Sequence, residues 1–253
     1  MSEDLLRSVE GGVLTVTINR PQRMNAFGVG ASRELAGIIN DADADPGIRV
    51  VVITGEGKAF CTGADLAGEP ATPQEAMDAV NSYVRAIAAA SIPVIAKVNG
   101  PCAGMAVGLA LASDLIFMAE TAYFLLPFVG IGLIPDAGTS ALVPGVIGRT
   151  RAMGMALLGN RVYGPEALAT GMVTAVLPAA ELDGAVAAAA AQLAHGPKDA
   201  IAQTKRAINA TTLAQLEGAL DRETAVQVDL LQSDDYREGV AAMLGKRRPE
   251  FAR

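Results

Sequence analysis

Segments with the period of β-strands alternate with segments of helical period along the first 120 residues. Alternating or continuous apolar side chains predict strands at 12–19, 49–54, 93–98 and 114–118. Helical spacing predicts helices at 28–43, from a capping box at Thr72 to about Ala90, and at 104–113. Strand–strand–helix units therefore recur at roughly 45–50 residues, which indicates a stacked, spiral α/β core rather than a doubly wound sheet.

The pattern changes after about residue 178, where strand signals end. Helical candidates follow at 185–193, 198–209, 213–231 and 234–244. We therefore expect a core over residues 1–178 and a C-terminal helical region over 179–253. Such a region has helix surface to bury, and packing on another subunit is one solution.

The composition limits the class of partner. Apolar residues are 51% and charged residues 19% of the 253, so the chain can bury a sizeable core. A net charge of −7 argues against a general nucleic-acid or anionic-membrane surface, although it leaves room for a local basic pocket. Cys61 and Cys102 lie in apolar, Gly-rich segments and are predicted to be buried free thiols. The N-terminal residues have no secretory signal pattern, so we expect a soluble, cytoplasmic protein.

Asp136 is the only charged residue between Glu120 and Arg149. Its neighbours are apolar or glycine, and poor solvation raises the pKa of a carboxyl group, which favours a proton acceptor near neutral pH. The three prolines and five glycines of 121–148 exclude a membrane-spanning helix there. From this segment alone, an N-cap of a helix beginning near Thr139 is the commoner role for such an aspartate.

Two loops could present backbone N–H groups to an anion. They are Phe60–Asp65 and Asn99–Met105, and the second leads directly into a predicted helix whose first N–H groups are unpaired. Two convergent N–H groups can stabilise a developing oxyanion by about 3–4 kcal/mol each. Ordinary strand–turn–helix connections are the alternative, and neither loop has the spacing of a dinucleotide or phosphate loop.

Together these segments resemble the crotonase, or enoyl-CoA hydratase/isomerase, superfamily. The resemblance keeps its order from the first strand to the C-terminal helices. It is carried by Arg20-Pro-Gln-Arg-Met-Asn-Ala26, Lys58-Ala-Phe-Cys-Thr-Gly-Ala-Asp-Leu66, Pro93-Val-Ile-Ala-Lys-Val-Asn-Gly100, Ala112-Ser-Asp-Leu-Ile116, Gly132-Leu-Ile-Pro-Asp-Ala-Gly138 and Gly171-Met-Val-Thr174.

The resemblance implies a spiral of ββα repeats with a C-terminal helical trimerisation region, assembled as a homotrimer or a dimer of trimers. It implies an acyl-CoA thioester substrate, with coenzyme A as part of the substrate and no separate cofactor. The N–H groups of Ala64 and Met105 would hold the thioester carbonyl oxygen. Met105 stands where the family usually has glycine, and its side chain adds bulk to that loop.

Two departures from the family pattern bear on the reaction. Gly108 and Phe128 occupy the positions of the two glutamates that hydratases of the family use, and neither accepts a proton. Asp136 falls where family isomerases, including double-bond and epoxyphenylacetyl-CoA isomerases, carry a single acidic residue. We therefore expect an isomerase that shuttles one proton through Asp136. The alternatives are a hydratase or other enolate chemistry with a replaced acid–base set, and a catalytically silent acyl-CoA binder.

The remaining site predictions concern substrate binding. Arg23, Met24 and Ala26 match the CoA loop of the family, and Lys58 opens the first amide loop. Arg23 and Lys58 could contact the anionic CoA, or they could be solvated surface charges. The basic C-terminal segment Gly245–Phe251 could reach a neighbouring subunit's CoA. His195, the single histidine, is expected to cap a helix, and no metal site is predicted. Asp65 is expected to hold the first loop, and the complete predicted binding set is Arg23, Met24, Ala26, Lys58, Asp65, Leu66, Gly104, Pro127, Phe128 and Leu133.

Overall fold

The computed structural model describes residues 3–68 and 71–251. The strands are β1 (Leu5–Glu10), β2 (Val13–Ile18), β3 (Val50–Gly55), β4 (Val94–Val98), β5 (Cys102–Ala103), β6 (Leu115–Ala119), β7 (Tyr123–Leu125), β8 (Val162–Tyr163) and β9 (Ala175–Leu177). The helices are α1 (Val29–Ala44), α2 (Pro73–Ala89), α3 (Met105–Ala112), α4 (Thr139–Ile147), α5 (Arg149–Leu158), α6 (Gly164–Ala169), α7 (Ala179–Ala194), α8 (Lys198–Thr212), α9 (Leu216–Leu230) and α10 (Asp234–Leu244). Two 3₁₀ helices span Pro21–Arg23 and Phe128–Ile131.

Six strands form the larger sheet in the order β1-β2-β3-β4-β6-β9, and β5, β7 and β8 form a second sheet. β1 runs antiparallel to β2, whereas every later pair of the larger sheet is parallel. From β2 onward each new strand is added at the same growing edge, so the chain winds in one direction. A doubly wound sheet reverses its strand order, and this sheet does not, which confirms the predicted spiral.

The core lies on both sides of the larger sheet. Every residue of β3 is buried, as expected for a parallel strand that is covered on both faces. α1 packs against α2, and α7 packs across β2, β3, β4 and β6. Leu182, Val186 and Ala190 of α7 belong to the same apolar cluster as the strands. The first helix after residue 178 therefore packs directly on the sheet.

Local sequence signals define several of these elements. Thr72 Oγ1 accepts from the N–H of Glu75, and Glu75 Oε2 accepts from the N–H of Thr72, which confirms the predicted capping box. His195 is the C-cap of α7, with its Nδ1 atom 2.8 Å from the oxygen of Ala191, as expected. Both cysteines are buried free thiols.

The four helices predicted after residue 178 are present, but two begin elsewhere. α7 begins at residue 179 rather than 185, and α9 begins at residue 216 rather than 213. The residues before α9 form a turn, in which the N–H of Leu216 donates to the oxygen of Leu213. Within the described ranges no helix is long and apolar enough to cross a bilayer.

Candidate active site

Two asparagines, the buried Asn25 and the half-buried Asn99, shape the first amide loop. The Nδ2 atom of Asn25 donates to the oxygens of Glu56 and Ala59 (2.8 and 2.7 Å). The Nδ2 atom of Asn99 donates to the oxygens of Gly55 and Gly57 (2.9 and 3.0 Å). Carbonyl groups in a turn have no neighbouring strand to donate hydrogen bonds to them, and the two asparagine side chains supply these donors. The loop that follows β3 is therefore held from two sides before it reaches Cys61.

The two predicted amide loops run side by side. Cys61 and Cys102 form a parallel β-bridge, and the N–H of Ala103 donates to the oxygen of Cys61 at 3.0 Å. Two glycines then allow close approach, because a Cβ at Gly63 would lie 3.0 Å from the oxygen of Ala103. A Cβ at Gly104 would lie 3.8 Å from the Cα of Gly63. The residues that follow these glycines, at positions 64 and 105, are thereby brought close together.

The N–H groups of Ala64 and Met105 are available to a ligand. Neither takes part in the main-chain hydrogen bonds found among residues 3–68 and 71–251. Met105 is the first residue of α3, where the helix dipole favours negative charge. Its side chain is buried in the apolar core, so the added bulk lies away from solvent. The hydroxyl of Tyr83 donates to the Met105 oxygen at 3.1 Å and fixes this first turn.

Asp136 lies in the loop between the second 3₁₀ helix and α4, and its side chain is buried, with 8% of the residue exposed. Its Oδ2 atom accepts a hydrogen bond from Nε2 of Gln227 at 3.0 Å. Its Oδ1 atom is buried and has no hydrogen-bond partner within the described part of the chain. A buried carboxylate oxygen without a hydrogen-bond partner is unfavourable for the stability of the fold. The unpaired Oδ1 atom therefore indicates that Asp136 has a role other than stabilisation.

Burial raises the pKa of Asp136 from 3.8 to about 7. The hydrogen bond from Gln227 opposes this change because it favours the ionised form, whereas the nearby charge of Glu223 adds to it. The carboxyl group thus changes charge near neutral pH. This is the property that the apolar neighbours of Asp136 in the sequence predict. Asp136 is not the N-cap of α4. Gly138 holds that position, and the N-cap makes no side-chain hydrogen bond to the helix end.

The Asp136 loop packs directly on the first turns of α3. A Cβ at Gly108 would lie 2.2 Å from the oxygen and 2.5 Å from the Cβ of Ala137. Gly108 is one helical turn from Met105 and therefore on the same side of α3. Ala137 adopts a left-handed conformation with φ of 57°, which turns the chain sharply after Asp136. The carboxyl group and the amide pair thus belong to one small region around the start of α3.

The four residues predicted to line an apolar acyl pocket lie around the same loop: Pro127, Phe128, Leu133 and Ile134. Phe128 and Leu133 are buried, and the N–H of Leu133 donates to the oxygen of Phe128 at 3.0 Å. A Cβ at Gly104 would lie 3.9 Å from Cζ of Phe128, so this ring is beside the amide pair. Pro127 caps the 3₁₀ helix that begins with Phe128.

The acyl pocket itself stays a prediction. A cleft of about 880 Å³ lies among α3, α4, α8 and α9 and includes Leu111, Leu142, Lys205 and Ile208 in its lining. None of the predicted site residues lines it.

The predicted CoA-binding residues divide into two groups. Met24 contacts the first amide loop, because its oxygen accepts from the N–H and the Oγ1 of Thr62 at 3.2 Å each. The side chains of Arg23 and Lys58 are exposed. Exposure suits either a phosphate contact or a solvated charge, so both remain predictions.

Asp65 holds the first loop, as expected. Its Oδ2 atom pairs with Arg20 at 2.8 Å, and the same guanidinium donates to the oxygen of Ala26 at 2.6 Å. The next residue, Leu66, is half-buried. Arg20 therefore ties the CoA loop to the amide loop.

The basic segment near the C-terminus is partly neutralised within the chain. Arg247 pairs with both carboxylate oxygens of Glu238 at 2.5 and 2.7 Å. The same carboxylate accepts from the N–H of Glu250 at 2.8 Å. Arg247 is therefore engaged by its own α10, which weakens the expectation that this segment is free to reach a CoA.

Four residues that support the site were not predicted from the sequence. They are Tyr83, Asn25, Glu223 and Gln227, all of them buried. Glu223 and Gln227 are four residues apart on a predicted helix and therefore share a face. That spacing was visible, but nothing in the sequence indicates that this face meets the Asp136 loop, some 90 residues earlier in the chain.

Replacement of Asp136 by asparagine is expected to change how stability depends on pH. The unfolded carboxyl releases its proton near pH 3.8, whereas the folded one retains it to about pH 7, so ionisation disfavours the folded state. Wild-type stability therefore falls as pH rises between these values and levels above about 7. Relative to the wild type, Asp136→Asn should gain about 3 kcal/mol in free energy of unfolding from pH 5 to pH 8. Urea denaturation at equal protein concentration measures this, and a pH-independent difference contradicts the assignment.

The sheet that winds in one direction, the paired amide loops and the buried carboxyl all lie within the part of the chain over which the sequence resemblance runs. The chain belongs to the enoyl-CoA hydratase/isomerase family, whose model matches residues 8–253. The match includes both amide loops, the Asp136 loop and the C-terminal helices.

Relatives of two kinds are similar over nearly the whole chain. The 1,2-epoxyphenylacetyl-CoA isomerase of Escherichia coli K12 is 39% identical, covering 99% of both chains. A probable enoyl-CoA hydratase of Rhodobacter capsulatus is 38% identical, covering 96% of this chain and 95% of that protein. The crystal structure of an enoyl-CoA hydratase from Mycobacterium avium subsp. paratuberculosis superposes with a TM-score of 0.93 at 45% identity, covering 99% of each chain. Fold and family are therefore established, while hydratase and isomerase relatives both occur.

Proposed function

We propose that this protein is an acyl-CoA isomerase that moves a carbon–carbon double bond by means of a single carboxylate. The observation that carries the proposal is the Oδ1 atom of Asp136, a buried and unpaired carboxylate oxygen beside the start of α3. The free N–H groups of Ala64 and Met105 lie at the same helix start. A proton acceptor and an oxyanion site in one region are the two parts that enolate chemistry needs.

In the proposed mechanism the thioester carbonyl oxygen of a 3-enoyl-CoA accepts hydrogen bonds from the N–H groups of Ala64 and Met105. Asp136 removes a proton from C2, and the resulting dienolate places negative charge on the carbonyl oxygen. The C3=C4 π electrons become available at C4, which takes the same proton back from Asp136. The product is the 2-enoyl-CoA, and the carboxylate returns to its starting form. The cycle consumes no water and needs no metal or redox cofactor.

The ionisation of Asp136 suits this role. A general base works best when its pKa is close to the operating pH, and burial brings the pKa of Asp136 to about 7. An exposed aspartate would hold its proton too weakly to return it to carbon efficiently. The predicted acyl pocket of Pro127, Phe128, Leu133 and Ile134 would keep this region apolar.

Hydration is supported less well than isomerisation. Adding water requires a base for the water and an acid for carbon, and the resemblance assigns these roles to positions 108 and 128. Phe128 has no proton to exchange, and the space at Gly108 is filled by Ala137. The hydratase names of several relatives keep hydration as the second candidate.

We also propose an assembly and a cellular setting. A trimer, or a dimer of trimers, would cover apolar side chains that are exposed on the single chain, among them Met153, Leu157 and Leu158 of α5. In this proposal residues 1–178 form the acyl-CoA-binding core, and residues 179–253 form the oligomerisation region. Buried free thiols at Cys61 and Cys102 suit the reducing cytoplasm.

The proposed function predicts a specific product pattern for the wild-type protein. Incubation with a 3-enoyl-CoA should change the ultraviolet absorbance, because a conjugated 2-enoyl thioester forms, with no change in mass. Incubation of a 2-enoyl-CoA should give no product heavier by one water. Absorbance and mass spectrometry of the same samples measure both. A mass gain of one water identifies a hydratase, and tight binding without either change identifies a silent binder, so each of these results contradicts the proposal.

A further inference from the structure

α9 approaches the Asp136 loop with two polar side chains four residues apart. Gln227 makes three hydrogen bonds to the loop: Nε2 donates to Oδ2 of Asp136 (3.0 Å) and to the oxygen of Ile134 (2.9 Å), and Oε1 accepts from the N–H of Ile134 (3.1 Å). Glu223 accepts from the N–H groups of Gly138 (2.7 Å) and Ser140 (2.9 Å). The two side chains therefore hold the loop on both sides of Asp136.

Both side chains are almost fully buried, with 1% of Gln227 and 2% of Glu223 exposed. Burying an amide and a carboxylate is unfavourable unless each is fully hydrogen-bonded. Between them, these two make five hydrogen bonds, and all five partners lie within residues 134–140. The packing of α9 does not require this many hydrogen bonds around one carboxyl group.

We infer that Gln227 and Glu223 are positioning residues for Asp136: Gln227 engages Oδ2 so that Oδ1 alone is presented to the substrate, and Glu223 fixes the turn that carries the carboxyl group. This inference rests on the proposed function, since it concerns the carboxylate that the proposed reaction uses. The two residues act through Asp136 and contact no reacting atom. Their role is distinct from that of the amide pair.

The contacts of Gln227 and Glu223 shift the pKa of Asp136 in opposite directions. A donor at Oδ2 favours the carboxylate, whereas the negative charge of Glu223 disfavours it. Tyr83 of α2 is a further titratable group near Asp136; burial, and then the Asp136 charge, raise the pKa of its hydroxyl well above the ordinary value. Cys61 and Cys102 lie beside Tyr83, and burial raises the pKa of Cys61 to about 12 and that of Cys102 well above its usual range. These three groups therefore stay neutral between pH 5 and pH 9.

The test is a titration of the Asp136 carboxyl in the full-length protein by infrared spectroscopy, with ¹³C-labelled aspartate and the Asp136→Asn spectrum subtracted. Gln227→Met, which keeps the length but removes the amide, should raise the titration midpoint by about one pH unit. Glu223→Gln should lower it. Isomerase kcat should fall at least about tenfold in Gln227→Met, and its pH profile should move with the infrared midpoint. Gln232→Met changes an exposed residue just after α9, and it should leave the infrared midpoint and kcat unchanged.

A purely structural clamp predicts the opposite direction. If Gln227 only held the loop in place, its loss would admit water to Asp136 and move the midpoint down toward the ordinary value. A lowered or unchanged midpoint in Gln227→Met therefore overturns the inference. Gln227→Glu provides a second, isosteric variant, which should raise the midpoint because a like charge replaces a donor; an unchanged or lowered midpoint again overturns it. The infrared titration needs no substrate, so it separates failure of this inference from failure of the proposed isomerase activity.

Discussion

Asp136→Asn is expected to lower kcat for isomerisation of a 3-enoyl-CoA by about 10³- to 10⁴-fold, while the affinity for the acyl-CoA changes by less than about threefold. The asparagine has nearly the same size and still fills the site beside Gln227, but its amide neither accepts nor returns a proton at working pH. The amide pair at Ala64 and Met105 is untouched, so the thioester should still bind. Steady-state kinetics and calorimetric titration with a non-isomerisable acyl-CoA measure the two quantities.

A matched control is Asp229→Asn, which makes the same chemical change at an exposed position of α9. It should keep wild-type kcat and affinity. Turnover within tenfold of wild type in Asp136→Asn would show that another group moves the proton. Loss of acyl-CoA binding together with turnover would instead indicate that Asp136 maintains the site rather than reacting.

Gly108→Ala is expected to lower both stability and turnover, although it adds only one methyl group. The added methyl would lie 2.2 Å from the oxygen of Ala137, inside contact distance of a buried backbone. Because Glu223 and Gln227 hold the loop from its other side, the loop cannot move without breaking hydrogen bonds. We expect a loss of about 3 kcal/mol in free energy of unfolding and, from displacement of Asp136, a fall of about 10²-fold in kcat.

Gly184→Ala is the matched control for this substitution. Gly184 is also within a helix, α7, and a Cβ there would meet nothing within 4 Å. It should leave kcat unchanged and raise stability by about 0.5–1 kcal/mol, because alanine is the better helix former. Gly108→Glu, which introduces the acid of a hydratase, should give no hydratase activity. Wild-type stability and turnover in Gly108→Ala would contradict the crowding that the geometry indicates.

The fold was predictable where a local signal coincides with a core position. The apolar run of β3 and the capping box of α2 each specify their element from nearby residues alone. β5 and β8, of two residues each, were not predicted, since such short strands exist only by pairing with distant ones. α4 begins at Thr139, where the sequence allowed a helix start, although Pro144 lies inside it and proline is unfavourable in helix interiors. It is tolerated here in a helix of nine residues.

For the site, the sequence indicated the residues that we propose to react, and Asp65 as a support of the first loop, but not the other supporting residues. Asp136 was conspicuous because its own neighbours are apolar, and its burial follows from those neighbours. Gln227 is an ordinary polar residue in an amphipathic helix until the fold brings α9 to the Asp136 loop. The closed space at Gly108 likewise depends on a contact between α3 and a loop some 30 residues later. Contacts distant in the chain leave no local pattern to read.

The position of α9, some 90 residues after the Asp136 loop, has a consequence for biosynthesis. Domains fold as the ribosome delivers them, N-terminal parts first. A nascent chain that ends before Leu216 already contains Asp136 and both amide loops, yet it lacks the partners of the Asp136 carboxyl and of the Gly138 and Ser140 amides. We therefore expect the Asp136 loop to be fixed only after translation has passed Gln227.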